Sequence, residues 1–153
     1  MKDLISTKAI IISLALTFVA FGAKAQNSYI KENKALAAAL SEEYGIPSSV
    51  ILAVAFVESG GGTSKNSKTL NNHFGIVGKN NVNSSRYESF ASVEGSYRAF
   101  CDILSKKKYY PVLKGTYNPA VWIKAIASAG YSTQPEVWKQ RIISIINRFG
   151  LSH

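Results

Sequence analysis

The chain has 153 residues, 46% of them hydrophobic and 18% charged, with eighteen Lys+Arg against nine Asp+Glu for a net charge of +9. That is the size of one domain with ample material for a core, which excludes a disordered chain. One cysteine and two histidines exclude a disulfide framework and the usual thiolate or histidine metal sites, so no metal or cofactor is expected.

The first 25 residues read as an address. Lys2 and Lys8 precede a 13-residue run, Ala9 to Phe21, that is almost wholly apolar, and Ala23-Lys24-Ala25 follows as an A-x-A cleavage pattern. The run falls short of the roughly 20 residues that span a bilayer. A basic start, a short apolar stretch and small residues before the cut define a secretory signal peptide. The expected mature domain is 26–153, periplasmic or secreted, with no stable membrane insertion after cleavage. Its positive charge suits anionic surfaces in general. Lys106-Lys107-Lys108 is the densest basic run and falls at a predicted helix end, where cations complement the dipole. No nucleic-acid motif accompanies it.

Residues 29–44 place Leu36, Leu40 and Tyr44 at helical spacing before Gly45 and Pro47. Residues 48–59 are apolar on every face from Val50 to Val57, as in a helix buried all round. A strand competes, because Val and Ile favour one. Pro47 ahead and Gly60-Gly61-Gly62 behind favour the helix. Residues 60–73 read as a polar loop. Phe74–Val77 and Arg86–Phe90 flank a turn-like Gly78-Lys79-Asn80-Asn81 and suggest one small hairpin. Helical spacing returns at 92–105 with Ser92 as N-cap, burying Cys101 beside Phe100. Asn118-Pro119 opens a helix closed by Gly130, and Pro135 opens the last one, carrying Val137, Arg141, Ile142, Ile145 and Phe149. The expected fold is mainly α with one small β element.

Glu58 is the informative acid. It ends the buried segment and precedes three glycines. Desolvation and the negative end of a helix dipole both raise its pKa, and a neutral glutamic acid near pH 7 is what a general acid requires. The glycines leave room for a bulky substrate. His73 in a loop and a terminal His153 offer no serine or cysteine triad. Tyr131, directly after Gly130, is placed to line a cleft.

Four segments in order resemble the glucosaminidase-type peptidoglycan hydrolases, glycoside hydrolase family 73, which includes the hydrolase domain of the flagellar rod-digging protein. They are AVAFVESGGG around Glu58, NNHFGI at 71–76, YESFASVEGSYRAFCDIL at 87–104 and AIASAGYSTQP at 125–135. The resemblance implies a lysozyme-like helical domain with a small, shortened β-hairpin lobe, acting as a monomer on peptidoglycan glycan strands. It implies cleavage of the β-1,4 bond after N-acetylglucosamine, with Glu58 as acid, Tyr131 in the active site, and Asn72, Phe74 and Gly75 shaping the cleft for substrate. Three features depart from the family's pattern. Gly61 stands where Trp is usual, Gln134 where Asp or Asn is common, and only 79–86 form the hairpin tip. No acid lies between Glu58 and Glu88, which leaves Glu88 as the candidate second carboxylate and Glu94 as a first-turn helix charge. Glycosidases normally use two carboxylates, with assistance by the substrate's acetamido group as a known exception. A lytic transglycosylase and a catalytically impaired wall-binding module are the competing readings.

Overall fold

A computed structural model describes residues 23–151. Most of the expected signal peptide, and His153, lie outside the described residues. The expected cleavage point after Ala25 falls in the opening turn of the first helix, α1 (Ala23–Tyr44). No described helix is long and apolar enough to cross a membrane.

The all-apolar segment forms α2 (Ser48–Ser59), a helix and not a strand. Every residue from Ser49 to Phe56 is buried. This follows from its sequence, since a helix with no polar face is stable only when surrounded. It packs against α1, α4 (Val93–Ser105), α6 (Pro119–Ser128) and α7 (Pro135–Phe149). Three successive glycines turn the chain away from its end, with φ of 59°, 64° and 77° at Gly60, Gly61 and Gly62. Gly60 and Gly61 donate to the carbonyls of Val57 and Phe56, closing the helix end. A side chain at Gly62 would meet the Tyr29 ring at 2.7 Å, so the bare backbone is what lets α1 approach.

The polar loop expected at 60–73 contains a helix, α3 (Lys65–Leu70). Six mostly polar residues carry no apolar period, and only Ser67 and Leu70 are buried. Its start is set by Ser64, whose hydroxyl accepts from the Ser67 amide at 3.1 Å.

The expected hairpin is reduced to one antiparallel bridge, Val77 with Tyr87. Asn80 takes over the role of a ladder. Its Oδ1 accepts from the amides of Val82 and Asn83, and its Nδ2 donates to the carbonyls of Ser85 and Tyr87. Side-chain bonds of this kind compete with regular pairing.

The caps read from sequence hold for α4 and α6. Ser92 Oγ accepts from the Gly95 amide and Asn118 Oδ1 from the Ala120 amide. A short helix, α5 (Tyr110–Leu113), was not anticipated; it is a single turn without buried residues. The apolar face of α7 also differs by one residue. Trp138 is 3% exposed and Val137 40%, so the inward row runs from the buried Trp138 and Ile142 to the partly buried Ile145 and Phe149. Val and Trp are both plausible core residues in a helix's first turn, and only packing against α2 and α6 separates them.

Candidate active site

Glu58 occupies the last turn of α2, half-buried, between the closed core and the glycine turn. Trp138 of α7 donates its indole Nε1–H to Glu58 Oε1 at 2.9 Å. Burial pushes the carboxyl from the usual range up to about 7, against the opposing pull of the Trp138 hydrogen bond and the Arg141 charge. The group is therefore a neutral acid below about pH 7, and no described cation pairs with it.

Tyr131 adjoins this acid. Gly130, at φ 81°, ends the α6 segment in the left-handed region and turns Tyr131 inward. Its ring packs on Trp138 at 5.2 Å and on Phe100 at 6.0 Å. The hydroxyl is buried and has no hydrogen-bond partner among the described residues. Burial, and then the nearby Glu58 charge, hold the phenol well above its ordinary pKa, so it stays protonated. An unpaired buried hydroxyl costs about 1–3 kcal/mol, which makes it a notable feature beside an acid.

The other expected site residues divide. Asn72 is 1% exposed and Phe74 0%, so neither offers a surface to substrate. They organise the site instead. Asn72 Nδ2 donates to the carbonyls of Ile76 and Glu88, and its Oδ1 accepts from the amides of Phe74 and Ile76. Phe74 stacks on Phe100 at 4.4 Å. Four bonds engage the Asn72 amide, and the Phe74 ring is enclosed in the core. Gly75 differs, being half-buried at φ 66° with open space where a Cβ would stand. Glu88 lies in the bridged segment, its carboxyl folded over Gly78, and it takes part in no described ion pair. Glu94 pairs with Arg98 at 3.4 Å one turn on, as a first-turn helix charge does.

Sequence reasoning missed Trp138, the one side chain among the described residues that hydrogen-bonds Glu58. Its signal was present as a tryptophan three residues after Pro135, but nothing local links it to a residue 80 positions earlier. Missed too was a second buried cluster. Tyr29 Oη lies 2.7 Å from His73 Nδ1 and 2.9 Å from Tyr97 Oη. The His73 amide is held by Ser96 Oγ at 3.3 Å, tying the NNHFGI segment to α4. Burial lowers the His73 pKa to about 4, so the ring is neutral.

A depression of about 330 Å³ opens where α1 meets the glycine turn, lined by Tyr29, Glu32, Asn33, Gly61, Gly62 and His73 among others. Glu58 is not in its lining, because its carboxyl faces α7. Among the described residues no group of acids, histidines and cysteine gathers as a metal site requires.

The sequence matches the glucosaminidase family, described as mannosyl-glycoprotein endo-β-N-acetylglucosaminidase, over residues 34–151. The chain belongs to the glucosaminidase family. It is therefore a glycoside hydrolase of the endo-β-N-acetylglucosaminidase type, as the ordered motifs imply. No curated protein matches the sequence. Solved structures share the fold. The catalytic domain of the autolysin Auto from Listeria monocytogenes is 20% identical, with 88% of this chain and 89% of that one covered at a TM-score of 0.73. The C-terminally truncated glycoside hydrolase domain of FlgJ from Salmonella typhimurium is 19% identical, with 84% and 99% covered at 0.68. The peptidoglycan hydrolase from Sphingomonas sp. A1 is 20% identical, with 82% and 90% covered at 0.66. The glucosaminidase domain is thus a mainly helical, lysozyme-like one in which α2 and α7 bring Glu58 and Trp138 together.

Proposed function

We propose that the protein is an exported peptidoglycan hydrolase that cleaves the β-1,4 bond after N-acetylglucosamine, with Glu58 as the general acid. The observation that carries this reading is the Glu58 carboxyl itself: half-buried, held by a single donor, and raised to about 7. Membership of the glucosaminidase family supplies the bond type. The neighbours described as an autolysin and a peptidoglycan hydrolase support the wall as substrate, and the signal-like residues 1–25 support export.

Glu58 gives its proton to the glycosidic oxygen as the bond to C1 breaks, and positive charge develops on the sugar ring. The resulting carboxylate then takes a proton from the water that attacks C1, which restores the acid. Tyr131 places a neutral, buried hydroxyl beside this exchange. Glu88 is the candidate second carboxylate, and the substrate's acetamido group is the alternative partner for C1.

Digestion of purified peptidoglycan tests the reading. The unmodified protein releases muropeptides with reducing ends, and Glu58→Gln loses roughly a hundredfold or more of that rate. Equal release by Glu58→Gln removes the assignment. Products lighter by one water identify a lytic transglycosylase instead. Glu88→Gln separates the two partners for C1: a loss comparable to that of Glu58→Gln supports a two-carboxylate site, and less than about a threefold change supports acetamido assistance.

A further inference from the structure

We infer that Trp138 is a positioning residue for the glycosidic chemistry: its indole N–H occupies Oε1 of Glu58, so the acidic proton is carried on Oε2, the oxygen left to meet the leaving group. This deepens the role proposed for Glu58 and rests on it.

The argument starts from donor chemistry. An indole N–H can donate a hydrogen bond and has no lone pair to accept one. At 2.9 Å from Nε1, Oε1 must be the acceptor. In a neutral carboxylic acid the carbonyl oxygen is a much better acceptor than the hydroxyl oxygen, so the indole bond favours Oε1 as the carbonyl and Oε2 as the oxygen that carries the proton. A histidine, serine or water in the same place would accept as readily as donate, leaving either oxygen able to hold the proton.

The donor is itself fixed. Trp138 is 3% exposed. It stands in the first turn of α7, started by Pro135, and packs against Tyr131 at 5.2 Å. Tyr131 rests in turn on Phe100 of α4. The indole is thus held by α4, the turn after α6, and α7, while the acid comes from α2. The same bond serves both halves of the reaction. Before transfer it fixes which oxygen is acidic. After transfer it becomes charge-assisted and stronger, stabilising the carboxylate that must wait for the water.

The charged and titratable groups found to act on Glu58 are Arg141 of α7, and Tyr131 after α6 is acted on by it in return. Tyr131 stays neutral. A titration near neutrality at this place therefore belongs to Glu58.

The protein has two tryptophans, which gives a direct test in the intact chain. Trp122 Nε1 donates to the Thr116 carbonyl at 2.7 Å, a partner that does not titrate. In ¹⁵N-labelled protein the Trp138 indole signal should move with pH around a midpoint near 7, the Trp122 signal should stay in place, and Glu58→Gln should abolish the movement. An unmoved Trp138 signal in the unmodified protein overturns the inference without any variant. Kinetics provide the second arm. Trp138→Phe keeps a ring against Tyr131 but deletes the donor. It should lower kcat with little change in KM. It should also shift the alkaline limb of the activity profile upward by about one to two pH units, because the donor favoured the anion. A lower kcat with the limb in place marks a merely structural residue and overturns the inference. Inactive Glu58→Gln with an unmoved limb in Trp138→Phe removes only the role of Trp138; active Glu58→Gln removes the reading on which it rests.

Discussion

Two buried polar groups sit on either side of the glycine turn, and they are satisfied to different degrees. On the α1 side, Tyr29, His73 and Tyr97 exchange hydrogen bonds at 2.7 and 2.9 Å, and Ser96 fixes the His73 backbone. On the α7 side, Glu58 has one donor and the Tyr131 hydroxyl has none. A network with every member paired stabilises one arrangement of the chain. A group left short of partners costs stability, and such a cost is often the mark of a site awaiting a ligand. The first region builds the molecule, and the second is where the proposed chemistry lies.

The largest effect that tests this contrast comes from Glu58→Gln. Wall digestion collapses, whereas the melting temperature at pH 8 rises. The folded carboxyl titrates near 7 against 4.5 when free. The Glu58 contribution to stability is therefore lost as pH rises between those values and is gone above 7, a penalty of about 3 kcal/mol. The glutamine escapes it. Thermal melts at pH 4 and pH 8 check the sign, since the gain should vanish at pH 4.

Tyr29→Phe should act the other way round. It removes the hydroxyl shared by His73 and Tyr97 and should cost about 1–3 kcal/mol in denaturant unfolding, with kcat within about threefold of the unmodified protein. A large kinetic loss at unchanged stability would erase the contrast between the regions. Tyr131→Phe should lower kcat about tenfold while leaving stability level or slightly raised, because the hydroxyl it removes is already unpaired. A stability loss like that of Tyr29→Phe would show that this hydroxyl is paired in solution.

The smallest net effect in the unmodified protein comes from a pair of opposed slopes. His73 titrates near 4 in the fold and 6.5 when free, so the unfolded chain binds the extra proton and stability falls as pH drops from 6.5 to 4. The Glu58 contribution runs oppositely between 4.5 and 7. The two slopes oppose each other in the unmodified protein. Glu58→Gln should expose the His73 slope alone, with stability climbing from pH 4 to 6.5, as read in unfolding midpoints across that window.

Much of this architecture is legible in the chain. The all-apolar α2, the caps at Ser92 and Asn118, and the stop at Gly60 each have a local cause, and the structure repeats them. The acid shows through for the same reason, as a carboxylate joined to a segment with no polar face. What was not legible depends on distant partners. Trp138 and Val137 are equally apolar neighbours until α2 and α6 close over one of them. Asn72 and Phe74 belong to a family motif, and a motif does not say whether a side chain touches substrate or holds up the loop that does. Tyr29, His73 and Tyr97 are scattered over three segments and meet only when α1, the loop and α4 are packed. The α3 turn escaped because a hydroxyl cap, and no apolar period, defines it.

The Asn80 turn bears on how such an enzyme changes over generations. Residues 81–86 are all exposed, and their shape depends largely on one amide side chain and not on the core. Extra residues inserted there would add little more than a slowly growing loop-closure entropy. The tip is therefore an adjustable margin, where lengthening or trimming leaves the helices beneath in their arrangement.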